Sequence, residues 1–167
     1  DTGTSFDALA SSTDLVEATD VVAGAEGLYV VGFTADGDAA VVAVDLGGGG
    51  VTPLFAGAPL VQPTGIALSA DGATLYVSDL ASDPSGVMNG GVYTLPTGGG
   101  TLAALSVGTI DLPGDVAVAH GGGSLYVSGF TSGGDPAIFT VSMAGAASVA
   151  FSGAPLVDPL ALAPGPD

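Results

Sequence analysis

No lysine or arginine occurs in the 167 residues, against 17 acidic side chains, for a formal net charge of −17. Ordinary chains are roughly 25% charged, with both signs present. This deficit excludes the basic footprint of a nucleic-acid-binding surface. It also removes any electrostatic attraction to anionic membranes. Side-chain ion pairs can form only through His120 or the amino terminus. Tryptophan is absent too, and side-chain nitrogen is confined to Gln62, Asn89 and His120. A merely acidic protein keeps its asparagine and glutamine. The pattern instead reads as avoidance of nitrogen, as expected of a protein made in quantity and secreted outside the cell. Loss of Lys and Arg also removes every trypsin-type cleavage site.

Cysteine is missing, so there is no disulfide framework and no thiol nucleophile. No apolar run reaches the ~18 residues of a membrane helix, so no membrane span is expected. The strands lack the apolar-out, polar-in alternation and the aromatic girdles of a transmembrane barrel. No signal-peptide pattern is present, and the chain opens on Asp1 without Met, as a processed or trimmed form would. What is abundant is apolar and small. Hydrophobic residues make up 47% and glycine numbers 29, enough for a core rather than a disordered chain. The glycines follow no collagen period and read as turns.

The chain repeats. Leu-Tyr-Val occurs at Leu28-Tyr29-Val30, Leu75-Tyr76-Val77 and Leu125-Tyr126-Val127, with spacings of 47 and 50 residues. Gly32-Phe33-Thr34 returns 97 residues later as Gly129-Phe130-Thr131. The stretch Phe55 to Val61 returns 96 residues later as Phe151 to Val157. One unit is therefore about 48 residues, and the first and third units are most alike. Units fall roughly at 18–59, 63–111 and 113–157, together one repeat domain over 1–167.

Short apolar runs separated by Gly, Asp, Pro and Ser are the strand-and-turn signature. They predict strands over 20–25, 27–33, 39–45 and 51–55 in the first unit. The second gives 64–69, 74–80, 91–97 and 101–107, and the third 115–119, 124–130, 136–143 and 147–153. Four strands per unit is the size of a propeller blade. Helices are expected to be absent, since Ser5–Ala18 is interrupted by Ser11-Ser12-Thr13. Thr4–Ala10 reads as the outer strand of a preceding blade and Leu160–Ala163 as the start of a following inner strand. The fold class is all-β: three four-stranded antiparallel blades plus a strand at each end, a partial ring.

The segment Pro63 to Asp79 (PTGIALSADGATLYVSD) resembles the repeat of NHL-like, YVTN-type and gluconolactonase-like β-propellers. There, an inner strand ends in a Ser-x-Asp-Gly turn, and Leu-Tyr-Val followed by Ser/Thr and Asp/Asn comes next. Asp71-Gly72 is expected to supply the left-handed positions of a tight hairpin, Tyr76 can place its ring between blades, and Asp79 can hold its own loop backbone. The resemblance implies fold rather than chemistry. Such rings usually close with six or seven blades, so three leave open edges that strand addition between subunits can fill.

Catalytic constellations are thin. His120 is the lone histidine and reads as an exposed turn residue. No Gly-x-Ser-x-Gly elbow accompanies it, and the runs Gly47–Gly50 and Gly98–Gly100 lack the Lys and helix of a phosphate loop. With no cations, carboxylates have water, backbone amides or metal ions as partners. Asp36-Gly37-Asp38 is a weak Ca²⁺ candidate, short of a full EF-hand, and Asp71, Asp83 and Asp135 occupy similar turns. Gluconolactonase-like enzymes hold a divalent ion at the channel mouth, and the resemblance carries that role to Asp20 and Asp115. Their other reading is backbone hydrogen bonding where a blade begins. The aromatics that repeat in register (Tyr29, Tyr76, Tyr126; Phe33, Phe130; Phe55, Phe151) are assigned to packing between blades. The expected function is a secreted, non-enzymatic structural protein that assembles with itself as a filament, sheath or surface layer. The alternatives are a ligand- or protein-binding half of a larger propeller and, behind it, a metal-dependent lactonase-like hydrolase.

Overall fold

The computed structural model describes residues 14–81, 90–105, 107–108 and 110–163. Among the described residues, twelve strands form three separate antiparallel sheets, each taken up in chain order. The first holds β1 (Glu17–Ala23), β2 (Gly27–Phe33), β3 (Ala39–Asp45) and β4 (Val51–Ala56). The second holds β5 (Pro63–Leu68), β6 (Thr74–Asp79), β7 (Gly91–Pro96) and β8 (Ala103–Leu105). The third holds β9 (Val116–Val118), β10 (Ser124–Phe130), β11 (Pro136–Ser142) and β12 (Ala147–Ser152). Sheets meet through their first strands, β1 against β5 and β5 against β9. This is the stacking of consecutive blades about a common inner edge. The strand expected over Thr4–Ala10 lies outside the described residues.

One turn chemistry closes four hairpins. In Thr34–Gly37, Ser69–Gly72, Thr131–Gly134 and Ser142–Gly145 the fourth residue's amide donates to the first residue's carbonyl, at 2.8–3.0 Å. That fourth residue is always a glycine with φ between +73° and +87°. A side chain there would be strained, which fixes the sequence pattern Ser/Thr-x-x-Gly. The leading hydroxyl then accepts the amide of Asp38, Ala73, Asp135 or Ala146. In the second of these, only Gly72 takes the left-handed conformation and Asp71 does not. Asp71 instead accepts the Ser69 hydroxyl at 2.6 Å and the Ala73 amide at 3.1 Å.

Alternation along the strands sends one set of side chains to each neighbouring blade. Between the first two blades, Val31, Val41 and Leu60 meet Ile66, Leu75, Val77, Tyr93 and Leu95. Between the second and third, Ala67, Tyr76 and Val92 meet Val116, Leu125, Val127, Phe139 and Val141. Burying each such side chain contributes about 1.5–3 kcal/mol, so these two seams dominate cohesion.

Several expectations need correction. β9 is only three residues long because the Asp115 amide leaves the ladder and donates to Ser128 Oγ at 2.8 Å. β8 shrinks to Ala103–Leu105. His120–Gly122 forms a 3₁₀ turn, with Gly121 and Gly122 at positive φ. Asp20 does not begin its strand but stands inside β1, at a bulge between Ala18 and Asp20. β5 has the matching irregularity between Pro63 and Gly65. Among the described residues, no helix is long and apolar enough to cross a membrane.

Candidate functional site

The bulge in β1 turns the Asp20 carboxylate along the inner edge, toward the next blade. Its Oδ1 accepts the amide of Val21 and its Oδ2 the amide of Ile66 in β5, both at 2.8 Å. Asp115 repeats the arrangement. Its Oδ1 accepts the Val116 amide at 2.7 Å and its Oδ2 the Leu162 amide at 2.6 Å. Each acid thus clamps the inner strand of its own blade to a segment 46 or 47 residues further on. Charge-assisted bonds of this kind are about twice as strong as neutral ones. Burial pushes the Asp115 carboxyl above the ordinary carboxylate range, repulsion from Asp20 adds to this, and the Leu162 and Val116 amides oppose it.

The second blade has no such acid. Gly65 stands there, and a β-carbon on it would collide with Asp115 Oδ1 and come within 2.7 Å of Ser78 Oγ. The β5–β9 joint is made instead by hydroxyls. Thr64 Oγ1 donates to the Pro113 carbonyl and Ser78 Oγ to the Gly114 carbonyl, each at 3.2 Å. Beyond the third blade, Gly114 is packed against Pro159 and Leu160. Residues 159–162 therefore pass beside the start of the third blade, held by the Leu162 amide on Asp115, but they form no strand, where an inner strand over Leu160–Ala163 was expected.

Asp20 and Asp115 line one hollow of about 330 Å³ along the inner edge, together with Ile66, Ala67 and Leu162. Asp36 and Asp38 are exposed in the β2–β3 hairpin and line a different hollow of about 260 Å³, beside Asp14 and Thr34. The four candidate metal ligands are therefore divided between two places. Among the described residues, no group of three or more His, Cys, Asp or Glu is arranged to hold a metal ion. Asp83 lies outside the described residues, and His120 is exposed in its turn. Asp71's carboxyl is held below its usual range by the Ser69 hydroxyl and the Ala73 amide.

Asp79 does more than hold its own loop. It is fully buried, and its carboxylate accepts the amides of Val61 at 2.8 Å, Gln62 at 3.1 Å and Ala81 at 2.9 Å. It ties the segment entering the second blade to the end of β6. The first and third blades have Gly32 and Gly129 at this place, where the incoming backbone passes so close that a β-carbon would clash with it. The Ser-Asp pair after Leu-Tyr-Val was the available signal, but it pointed only to the local loop.

The repeated aromatics divide as well. Tyr29 packs on the seam between the first two blades, and Tyr76 is 8% exposed, its hydroxyl donating to Met143 Sδ at 3.1 Å. Tyr126, at the same place in the third blade, is 38% exposed. Phe55 packs in the first seam, whereas Phe151 is 47% exposed. For Tyr126 and Phe151 the expected burial between blades is thus not observed. They floor an open apolar face on the side where a fourth blade would lie.

No protein-family model matches the sequence, and no curated protein matches it. Solved structures do. The chain is similar to nidogen in a nidogen/laminin complex (18% identity, TM-score 0.63, 81% of this chain and 48% of that one). It is similar to TolB from Acinetobacter baumannii (13%, TM-score 0.64, 84% of this chain and 33% of that one). It is also similar to the β-propeller domain of the Trilobed protease from Pyrococcus furiosus (11%, TM-score 0.50, 81% and 41%). The chain spans a third to a half of the length of these chains. At such identities the likeness is one of fold, and that fold is the β-propeller, here as three consecutive blades.

Proposed function

We propose that this chain is an exported, non-enzymatic structural β-propeller whose open third blade is completed by further blades. One observation carries the reading: Tyr126 and Phe151 are exposed on a face whose counterparts in the first two blades are covered by a following blade. Composition favours copies of the chain as the source of those blades, in a filament, sheath or surface layer. A protein stripped of Lys, Arg and most amide nitrogen suits bulk use outside the cell. Ca²⁺ held by turn aspartates such as Asp36 and Asp38 would supply the cations that the chain lacks at junctions between copies.

A second reading is favoured by length. The chain covers 48% or less of the three propeller chains above, as would the ligand- or protein-binding half of a six- or seven-bladed ring. Negative-stain electron microscopy of the native material, with and without a calcium chelator, tests the first reading. Ordered polymers are expected, and loss of order on chelation assigns the turn aspartates to the junctions. Discrete rings would replace it with the second reading.

A further inference from the structure

A sulfur meets a phenol on the seam between the second and third blades. The Tyr76 hydroxyl in β6 donates to Met143 Sδ at 3.1 Å, across 67 residues of chain. Tyr76 is 8% exposed, and burial leaves its hydroxyl few other partners. A thioether sulfur is only a weak acceptor, so this donor is poorly matched. Met143 itself is 37% exposed, within reach of small solutes. It holds the second position of the Ser142–Gly145 turn. That backbone is fixed by the Gly145 amide on the Ser142 carbonyl and the Ala146 amide on Ser142 Oγ. The first seam is built differently. Thr97 follows β7 there as Met143 follows β11, and its hydroxyl turns back to the Ala73 carbonyl of its own blade.

We propose that Met143 is an oxidation site and Tyr76 the receptor for its sulfoxide, so that oxidation tightens the joint between the second and third blades. The oxidant is a hydroperoxide. A sulfur lone pair attacks a peroxide oxygen, and the S–O bond forms as the O–O bond breaks. With hydrogen peroxide, the departing hydroxide takes the proton of the transferred oxygen and leaves as water. Sulfur is oxidised by two electrons and the peroxide is reduced by two. The product carries a polar oxygen where the thioether was apolar. The unbranched side chain can turn about its Cγ–Sδ bond to bring that oxygen to the Tyr76 hydroxyl. Burial pushes the Tyr76 phenol above its ordinary range and the Asp71 charge adds to this, so the donor keeps its proton. Methionine oxidation ordinarily loosens an apolar contact. Here a donor is already in place, and the partly exposed edge of the seam leaves the new dipole in contact with water. The inference concerns a single chain and does not depend on what completes the third blade.

The test uses the full chain carrying Met88→Leu, which leaves Met143 as its one methionine. Hydrogen peroxide is the probe, and peptide mass spectrometry reads the gain of one oxygen, about 16 Da, on Met143. Urea unfolding is then followed by circular dichroism before and after oxidation. Oxidation is expected to raise the midpoint by about 0.3 M, the scale of one added hydrogen bond. In Tyr76→Phe, which keeps the ring and removes only the hydroxyl, oxidation should lower the midpoint or leave it unchanged. A midpoint that falls or stays put on oxidation with Tyr76 present overturns the proposal. So does an equal rise in the Tyr76→Phe chain, or a rise in a Met143→Leu chain, which has no sulfur to oxidise. Failure of Met143 to react under conditions that oxidise free methionine overturns it as well.

Discussion

Asp20 in the first blade and Ile66 in the second are joined by a 2.8 Å hydrogen bond from a backbone amide to a carboxylate, across 46 residues of chain. Asp20→Ala leaves that partly buried amide without its acceptor. We expect a loss of about 1–3 kcal/mol in urea unfolding. Asp36→Ala, at an exposed hairpin, should change stability by less than about 0.5 kcal/mol. Equal effects for the two substitutions would refute the clamp.

Gly65→Ala puts a methyl group where Asp115 Oδ1 lies. The expected cost is about 1–3 kcal/mol, the usual range for overpacking. Combined with Asp115→Ala, which vacates that space, the two costs should add to less than their sum. A double-mutant cycle measures the shortfall. Strict additivity would mean that the β5–β9 approach is looser than described.

Acidity should act on Asp115 in an unusual direction. Its carboxyl is raised by burial, so the folded state binds its proton more tightly than the unfolded state does. The stability linked to this group is therefore fully present below the ordinary aspartate value and is lost as pH rises through the raised folded value. Melting temperatures of the wild type relative to Asp115→Asn should fall over that window, just above about pH 4. A difference that stays flat from pH 3 to 7 would contradict the burial assigned to Asp115.

Identical residues at repeated places should differ in worth. Tyr76→Ala opens the second seam and is expected to cost about 3–5 kcal/mol. Tyr126→Ala on the open face should cost under about 1 kcal/mol in the isolated chain. Chemical denaturation of both variants decides it, and comparable losses would mean that Tyr126 is covered.

The strands were legible because two local signals coincide. Leu-Tyr-Val marks the second strand of every blade, and a Ser/Thr-x-x-Gly turn stands at one end of that strand in each. Both are short-range, so the sequence displays them directly. The clamps were not legible in the same way. That Asp20 faces Ile66 depends on a bulge and on the stacking of two sheets, neither of which has a local code. Exposure of Tyr126 and Phe151 was hidden for the opposite reason. Repetition makes each copy look equally buried, and only position in the stack distinguishes the last one. Asp79 fell between these cases: its residue type was visible, but its distant amides at Val61 and Gln62 were not.

The clamp has one further consequence. Its receiving group is a peptide N–H, which every residue type except proline provides. Ile66 and Leu162 serve equally, and neither side chain takes part in the bond. Blades joined this way can be duplicated, exchanged or allowed to drift in sequence without retuning the joint, so long as one acid and one small residue keep their places. Such tolerance suits a scaffold that lengthens by copying its own parts.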